Sequence, residues 1–204
     1  MYRPRKRYLV TKRVVDVAAV LAVAPLLVPA AALIALAIRI DSPGPIVFSQ
    51  MRTGQHGRRF RMYKFRTMVA NAEELKAQLA HLNELQWPDF KITDDPRVTR
   101  VGKFLRVTSL DELPQLFNVL RGDMSLVGPR PTSFAADTYD LWHTVRLEVR
   151  PGLTGLWQAS GRRDNSYQTR LALDRRYLQE RTLGMDLLVL LKTIRVVLLG
   201  HGAY

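Results

Sequence analysis

The chain has 204 residues, with 31 Lys or Arg against 18 Asp or Glu and a formal net charge of +13; 47% of residues are hydrophobic and 24% charged. That balance supports a packed core, excludes a disordered chain and points to an anionic partner: nucleic acid, anionic lipid or a phosphorylated substrate. There is no cysteine, which excludes disulfides, thiol catalysis and the usual zinc sets, so a required metal would be oxygen-bound magnesium, with manganese as a substitute.

Residues 1–13 carry Arg3, Arg5, Lys6, Arg7, Lys12 and Arg13, a basic segment suited to anionic lipid headgroups. The 22 residues from Val17 to Ile38 are uncharged. As a straight helix they would reach about 33 Å, enough for a bilayer core and too long for a simple signal core. Two features oppose a plain span. Pro25 and Pro29 each remove a backbone donor and bend a helix. Basic residues also stand on both sides of the run, whereas a spanning helix keeps its basic flank on the cytoplasmic side. On these residues a spanning helix and a re-entrant one both remain open.

Asp41 to Pro45 reads as a turn and Ile46 to Phe48 as a short strand. Gly54 to Gly57 is a hairpin-like turn, and Phe60 to Phe65 alternates as a second strand, placing Lys64 and Arg66 on one face with Phe65 on the other. Leucines at 75, 79, 82 and 85 predict a helix over 70–86, stopped by Trp87-Pro88. Residues 91–102 read as a polar connection, and Phe104 to Val107 lead to Asp111-Glu112. Beyond the pair, the pattern predicts a short helix over 113–120 ending near Gly122, an extended stretch over 127–131 and a helix over 138–147. Arg150 to Trp157 is a glycine-rich loop, and Ser166 to Arg181 an amphipathic helix. Met185 to Leu199 is strongly apolar, with Lys192 and Arg195 on one side. It is too short to span and fits an interfacial helix with snorkelling bases, a buried core helix being the alternative.

Asp111-Glu112 is the chemical focus. Ser109-Leu-Asp-Glu112 matches a capping box; with Asp111 as the cap, Pro114 would fall where its missing donor costs nothing. Either way the two acids belong at a helix N-terminus. There the dipole favours an ionised carboxylate able to attack or to bind a metal, although capping alone would account for the pair. Arg130 follows nineteen residues after Asp111, bracketed by Pro129 and Pro131, so little entropy is lost when it grips an anion; a rigid surface turn is the plainer reading. Arg106 lies five residues before Asp111 and can join the same site. Carboxylates and guanidinium groups so arranged suit metal-assisted phosphate chemistry. The charge also suggests a membrane-tethered nucleic-acid binder, but no recognition helix or aromatic RNA-binding motif is present.

Four segments, Lys64-Phe-Arg-Thr-Met68, Thr108 to Leu116, Gly122 to Pro131 and Arg150 to Gly155, resemble the bacterial sugar transferases, the monotopic polyprenyl-phosphate phosphoglycosyl transferases. The resemblance runs from about Lys12 to Tyr204, and the ending, Leu183 to Asp186 through Gly200 to Tyr204, is similar to the catalytic part of undecaprenyl-phosphate galactose or glucose phosphotransferases. It implies that Asp111 attacks the β-phosphate of a UDP-sugar, UDP-glucose or UDP-galactose foremost. UMP leaves, and the phosphosugar passes from the aspartate to undecaprenyl phosphate. Asp111 and Glu112 would hold magnesium. Lys64, Arg106 and Arg130 match family positions near the phosphates, and Arg66 and Pro131 complete the expected substrate-binding set.

The fold so implied is α+β and mostly helical: a monotopic membrane protein with a re-entrant N-terminal helix and interfacial amphipathic helices around a small catalytic domain. Residues 1–40 would form the membrane element and 41–204 a catalytic domain on the cytoplasmic face of the bacterial inner membrane. The step would open exopolysaccharide, capsule or O-antigen assembly; anionic lipids, no nucleic acid and a homodimer are the associated expectations. An inactive scaffold of the same fold is the alternative, against which the intact Asp111-Glu112 pair stands. One departure is Ala24-Pro25, where many members carry Ser-Pro, so Pro29 or packing must help shape the break. Larger relatives carry a further N-terminal membrane region, so the chain is either a short form or a catalytic part.

Overall fold

In the computed structural model, residues 6–84, 92–133, 141–160 and 167–199 are described. The basic lead-in and the uncharged run form one helix, α1 (Lys6–Asp41), 36 residues long and continuous through Pro25 and Pro29. It is long and apolar enough to cross a membrane. None of residues 21–30 is buried.

Both ends of α1 are tied to the rest of the chain. At its start, Lys12 Nζ lies 2.9 Å from Asp186 Oδ2, and the Arg13 guanidinium donates to the Val119 and Leu120 carbonyls. Asp16 accepts from Ser125 Oγ at 2.7 Å. At its end, Ile38 packs with Phe65 and Leu105, and Asp41 accepts from the Val101 amide at 3.1 Å. Lys12 and Arg13, expected at lipid headgroups, are thus turned to protein. Open helix-end carbonyls and a buried carboxylate hold them instead.

The hairpin is longer than its pattern suggested. Strand β1 (Val47–Thr53) pairs antiparallel with β2 (Arg59–Phe65), in register from Val47 opposite Phe65 to Thr53 opposite Arg59. A 3₁₀ turn over Gln55–Gly57 joins them. Arg66 falls beyond the strand, so it does not share a strand face with Lys64.

The helix expected over 70–86 is much shorter: α2 (Ala72–Gln78), then a 3₁₀ turn over Ala80–Leu82. No residue of α2 is buried, so its leucine spacing has no packing to sustain it. The Trp87-Pro88 stop lies outside the described residues. The polar connection ends early, because α3 (Arg100–Val107) begins within it, capped by Thr99 Oγ1 accepting from the Gly102 amide at 3.0 Å. Gly102 permits a close approach, since a Cβ there would lie 2.0 Å from the Thr67 carbonyl oxygen.

Helix α4 (Gln115–Arg121) ends at Gly122, left-handed at φ 91°. Strand β3 (Ser125–Val127) pairs in parallel with β4 (Gly152–Thr154), and the one-turn helix α5 (Leu156–Ala159) follows. The glycine-rich loop therefore contains a strand and a helical turn. Its strand partner is remote in sequence, so local composition could not announce it. The helix expected over 138–147 is a 3₁₀ helix, Leu141–Glu148, among the described residues.

The two C-terminal helices lie where predicted, α6 at Tyr167–Glu180 and α7 at Leu183–Leu198. Helix α7 buries Asp186 and Val189 while leaving Leu187, Leu188, Leu191 and Ile194 exposed. Val119, Met124, Val127 and Val189 centre the main core, to which α1 adds Val20. The fold is mostly helical, with two small sheets among the described residues.

Candidate active site

Asp111 and Glu112 sit on an elbow between α3 and α4. Ser109 turns left-handed (φ 56°, ψ 17°), reversing the chain into a 3₁₀ turn over Leu110–Glu112, and Pro114 then stands at the cap position of α4. The left-handed serine costs about 1 kcal/mol. Both expected caps are therefore absent: Ser109 makes no side-chain cap bond, Pro114 rather than Asp111 stands at the cap of α4, and the acids precede that helix rather than fill its first turn. Pro114 is responsible. It is helix-shaped at φ −61° but has no N–H, so α4 begins at it and leaves the acids outside.

Two cations hold the pair instead of a helix dipole. Lys64, from β2, places Nζ 3.3 Å from Asp111 Oδ2 and 2.9 Å from Glu112 Oε1. Arg130 forks onto Glu112, donating from Nη2 to Oε1 at 2.7 Å and from Nη1 to Oε2 at 3.4 Å. Asp111 is only 8% exposed. Burial alone would push the Glu112 proton on, but the charges of Arg130 and Lys64 outweigh it and hold the carboxyl well below the usual range. Glu112 in turn raises the Arg130 guanidinium further above its ordinary value.

The depressed Glu112 carboxyl makes folding pH-dependent. The unfolded chain takes up its proton near the ordinary value of 4.5, before the folded chain does. Its stabilising contribution is therefore complete above about pH 4.5 and lost as the pH falls further. In Glu112→Gln the fall of the melting temperature below about pH 4.5 should be shallower than in the parent. Identical acid limbs in the two proteins would contradict this account of the pair.

The elbow opens onto a cavity of about 810 Å³, lined by Lys64, Arg66, Arg106, Asp111, Glu112 and Arg130 among others. Not all the expected residues play equivalent parts. Lys64, Asp111, Glu112 and Arg130 touch one another, as given above. Arg106 reaches the wall with its Nε donating to Thr67 Oγ1 at 3.0 Å. Arg66 lines the cavity, but its guanidinium is committed to the exit of α1, donating to the Pro43 carbonyl at 2.6 Å and to the Ser42 carbonyl at 2.7 Å. From the cavity wall it therefore also clamps the exit of α1. Pro131 is buried and lines a small separate cleft, so it serves as a backbone bracket for Arg130.

Asn118 was not anticipated. It is 0% exposed, accepts from the Tyr63 amide at 3.1 Å and donates to the Arg61 carbonyl at 2.8 Å. It binds the backbone of β2 just before Lys64 and so sets that lysine against the α3–α4 elbow. An asparagine amid the apolar residues of Leu-Phe-Asn118-Val-Leu was the available signal, because a buried amide needs partners.

Among the described residues, no three His, Asp or Glu side chains converge as a metal cage. The adjacent acids nevertheless fit magnesium, which keeps several waters and takes one or two carboxylates together with substrate phosphates. Lys64 and Arg130 would then pass from Glu112 to phosphate oxygens, for which their charge and fork are suited.

Residues 7–200 match the family described as bacterial sugar transferase. The chain is 51% identical over 166 residues, 79% of its length, to a Salmonella typhimurium protein named undecaprenyl-phosphate galactose phosphotransferase, of which it covers 35%. It is 42% identical over 210 residues, 98% of its length, to a Caulobacter vibrioides UDP-glucose:undecaprenyl-phosphate glucose-1-phosphate transferase, covering 74% of that protein. It is also 42% identical over 200 residues, 96% of its length, to the exopolysaccharide production protein ExoY of Sinorhizobium fredii, covering 88%. The chain thus spans well under half of some curated relatives and most of others. With the family matched over nearly its whole length, this chain belongs to the bacterial sugar transferases.

Proposed function

We propose that the protein transfers a hexose-1-phosphate from a UDP-sugar to undecaprenyl phosphate, releasing UMP, as the first membrane step of exopolysaccharide, capsule or O-antigen assembly. The convergence of Lys64 and Arg130 on adjacent Asp111 and Glu112 at the wall of an open cavity carries this reading. The relatives' names supply the donor and acceptor classes, galactose in one and glucose in another. They give no support to a nucleic-acid role.

Asp111 is the nucleophile. Its oxygen attacks the β-phosphorus, the bond from that phosphorus to the oxygen bridging the two phosphates breaks, and UMP leaves with the electron pair. A phosphate oxygen of undecaprenyl phosphate then attacks the same phosphorus and frees the carboxylate. One site can so serve a water-soluble donor and a lipid acceptor in turn. Arg130 and Lys64 grip the donor phosphates, with Arg106 beside them. Magnesium held by Asp111 and Glu112 would offset diphosphate charge; manganese would serve the same end. The direct test is UMP release from a panel of UDP-sugars. UDP-galactose or UDP-glucose should give continuous turnover only when undecaprenyl phosphate is present; no UMP from any donor would overturn the proposal.

Residues 1–40 form the membrane element and 41–204 the catalytic domain, on the cytoplasmic face of the inner membrane. Helix α1 enters and leaves by that face. Supporting this are its basic flanks, its two prolines, and the anchoring of both ends to the same packed body while residues 21–30 bury nothing. The exposed leucines of α7 suit the interface. Single cysteines at Arg7 and Ser49, both exposed, test the topology in a chain with no cysteine of its own. An impermeant thiol reagent on intact cells should miss both until the membrane is opened. Labelling of Arg7→Cys from outside with Ser49→Cys protected would mean a spanning helix.

A further inference from the structure

We propose that the buried ion pair of Arg146 and Asp174 is a positioning device that sets Arg130 for phosphate binding. The inference rests on the reading of Arg130 given above. Arg146, on the 3₁₀ helix Leu141–Glu148, donates from Nη2 to the Arg130 carbonyl at 2.8 Å. The same nitrogen lies 2.8 Å from Asp174 Oδ2, on α6, and the two side chains are 8% and 9% exposed.

Neither residue lines the large cavity; Arg146 lines the small cleft behind it, with Pro129, Arg130 and Pro131. The contact therefore reaches Arg130 from behind, through its backbone. On the other side the segment is held by β4: the Gly128 amide donates to the Thr154 carbonyl and the Gly152 amide to the Pro129 carbonyl, each at 2.9 Å. The flanking prolines have restricted φ and no N–H. The carbonyl of Arg130 is then a decisive backbone handle, since holding it fixes ψ and with it the direction in which the guanidinium leaves the chain. The fork to Glu112 depends on that direction.

The pair is an expensive way to fill a core. Burial raises the Asp174 carboxyl to about 6 despite the charges of Arg146 and Arg170. Buried ion pairs are often no more stabilising than apolar residues of the same volume, so stability alone is a poor reason for this one. A guanidinium that must meet a backbone carbonyl, with a carboxylate to hold it there, is a sufficient reason.

A double-mutant cycle on the full chain separates positioning from folding. Arg130→Lys, Arg146→Met and the double variant are compared in kcat/KM for UMP release and in melting temperature. Each single change should lower kcat/KM about tenfold or more, and the double should be no more than about threefold below the worse single, because both act through one guanidinium. Arg146→Lys keeps a charge for Asp174 and a donor for the carbonyl, and should recover to within about threefold of the parent. If Arg146→Met does not fold, Asp174→Asn takes its place in the cycle. Additive losses of about a hundredfold, or no recovery in Arg146→Lys, would overturn the inference while leaving Arg130 in its role. Near-normal turnover in Arg130→Lys would instead overturn the reading of Arg130, and the inference with it.

Discussion

Asp111→Asn should reduce UMP release by at least about 10³-fold, or about 4 kcal/mol of transition-state stabilisation. The amide matches the carboxylate in shape but cannot displace UMP from phosphorus. Folding should be little affected. Lys64 keeps its shorter contact with Glu112, and an asparagine oxygen can still accept from it. Activity loss should thus come without a matching loss of melting temperature or of membrane extraction. Mass spectrometry of the parent protein, incubated with donor and no lipid acceptor, should place a phosphosugar on the peptide that holds Asp111. An adduct trapped on any other residue would sink the assignment.

Metal removal should have an effect of comparable size. Chelation is expected to stop UMP release and magnesium to restore it, with Glu112→Gln inactive at any magnesium concentration. Glu112 carries two cations in the free protein, through contacts of 2.9 Å to Lys64 and 2.7 Å to Arg130. A diphosphate would bring enough negative charge to draw both cations away and leave the carboxylates for a divalent ion. On that proposal Arg130 would be an exchangeable partner, since its fork fits carboxylate and phosphate alike. Full activity in excess chelator would refute the metal's role and leave Lys64, Arg106 and Arg130 as the whole of the electrostatic support.

The elements legible in the sequence were those whose signal is local. The uncharged run from Val17 to Ile38 predicted its helix by length and apolar composition, and the alternation from Phe60 to Phe65 and the periodicity of α6 predicted theirs, because burial of one face imposes a period on contiguous residues. Asp111, Glu112 and Arg130 stand out by residue type and spacing and Lys64 by the family resemblance, and all four meet at one elbow. The helix expected over 70–86 is shorter, because Leu75, Leu79 and Leu82 are not buried in a core.

Tertiary structure decided what each charged group does. Arg66 and Lys64 stand two residues apart, yet one clamps the exit of α1 and the other meets the acids. Lys12 and Arg13, expected at lipid headgroups, instead meet Asp186 and the end of α4. The parallel pairing of β3 with β4, the Asn118 link to β2 and the Arg146–Asp174 pair behind Arg130 all join residues far apart in the chain. Sequence determined which chemistries were available, since side-chain type and local period travel with the residues themselves. Only the fold decided which charges face one another, because Coulomb energy and hydrogen bonding depend on distances that chain separation does not set.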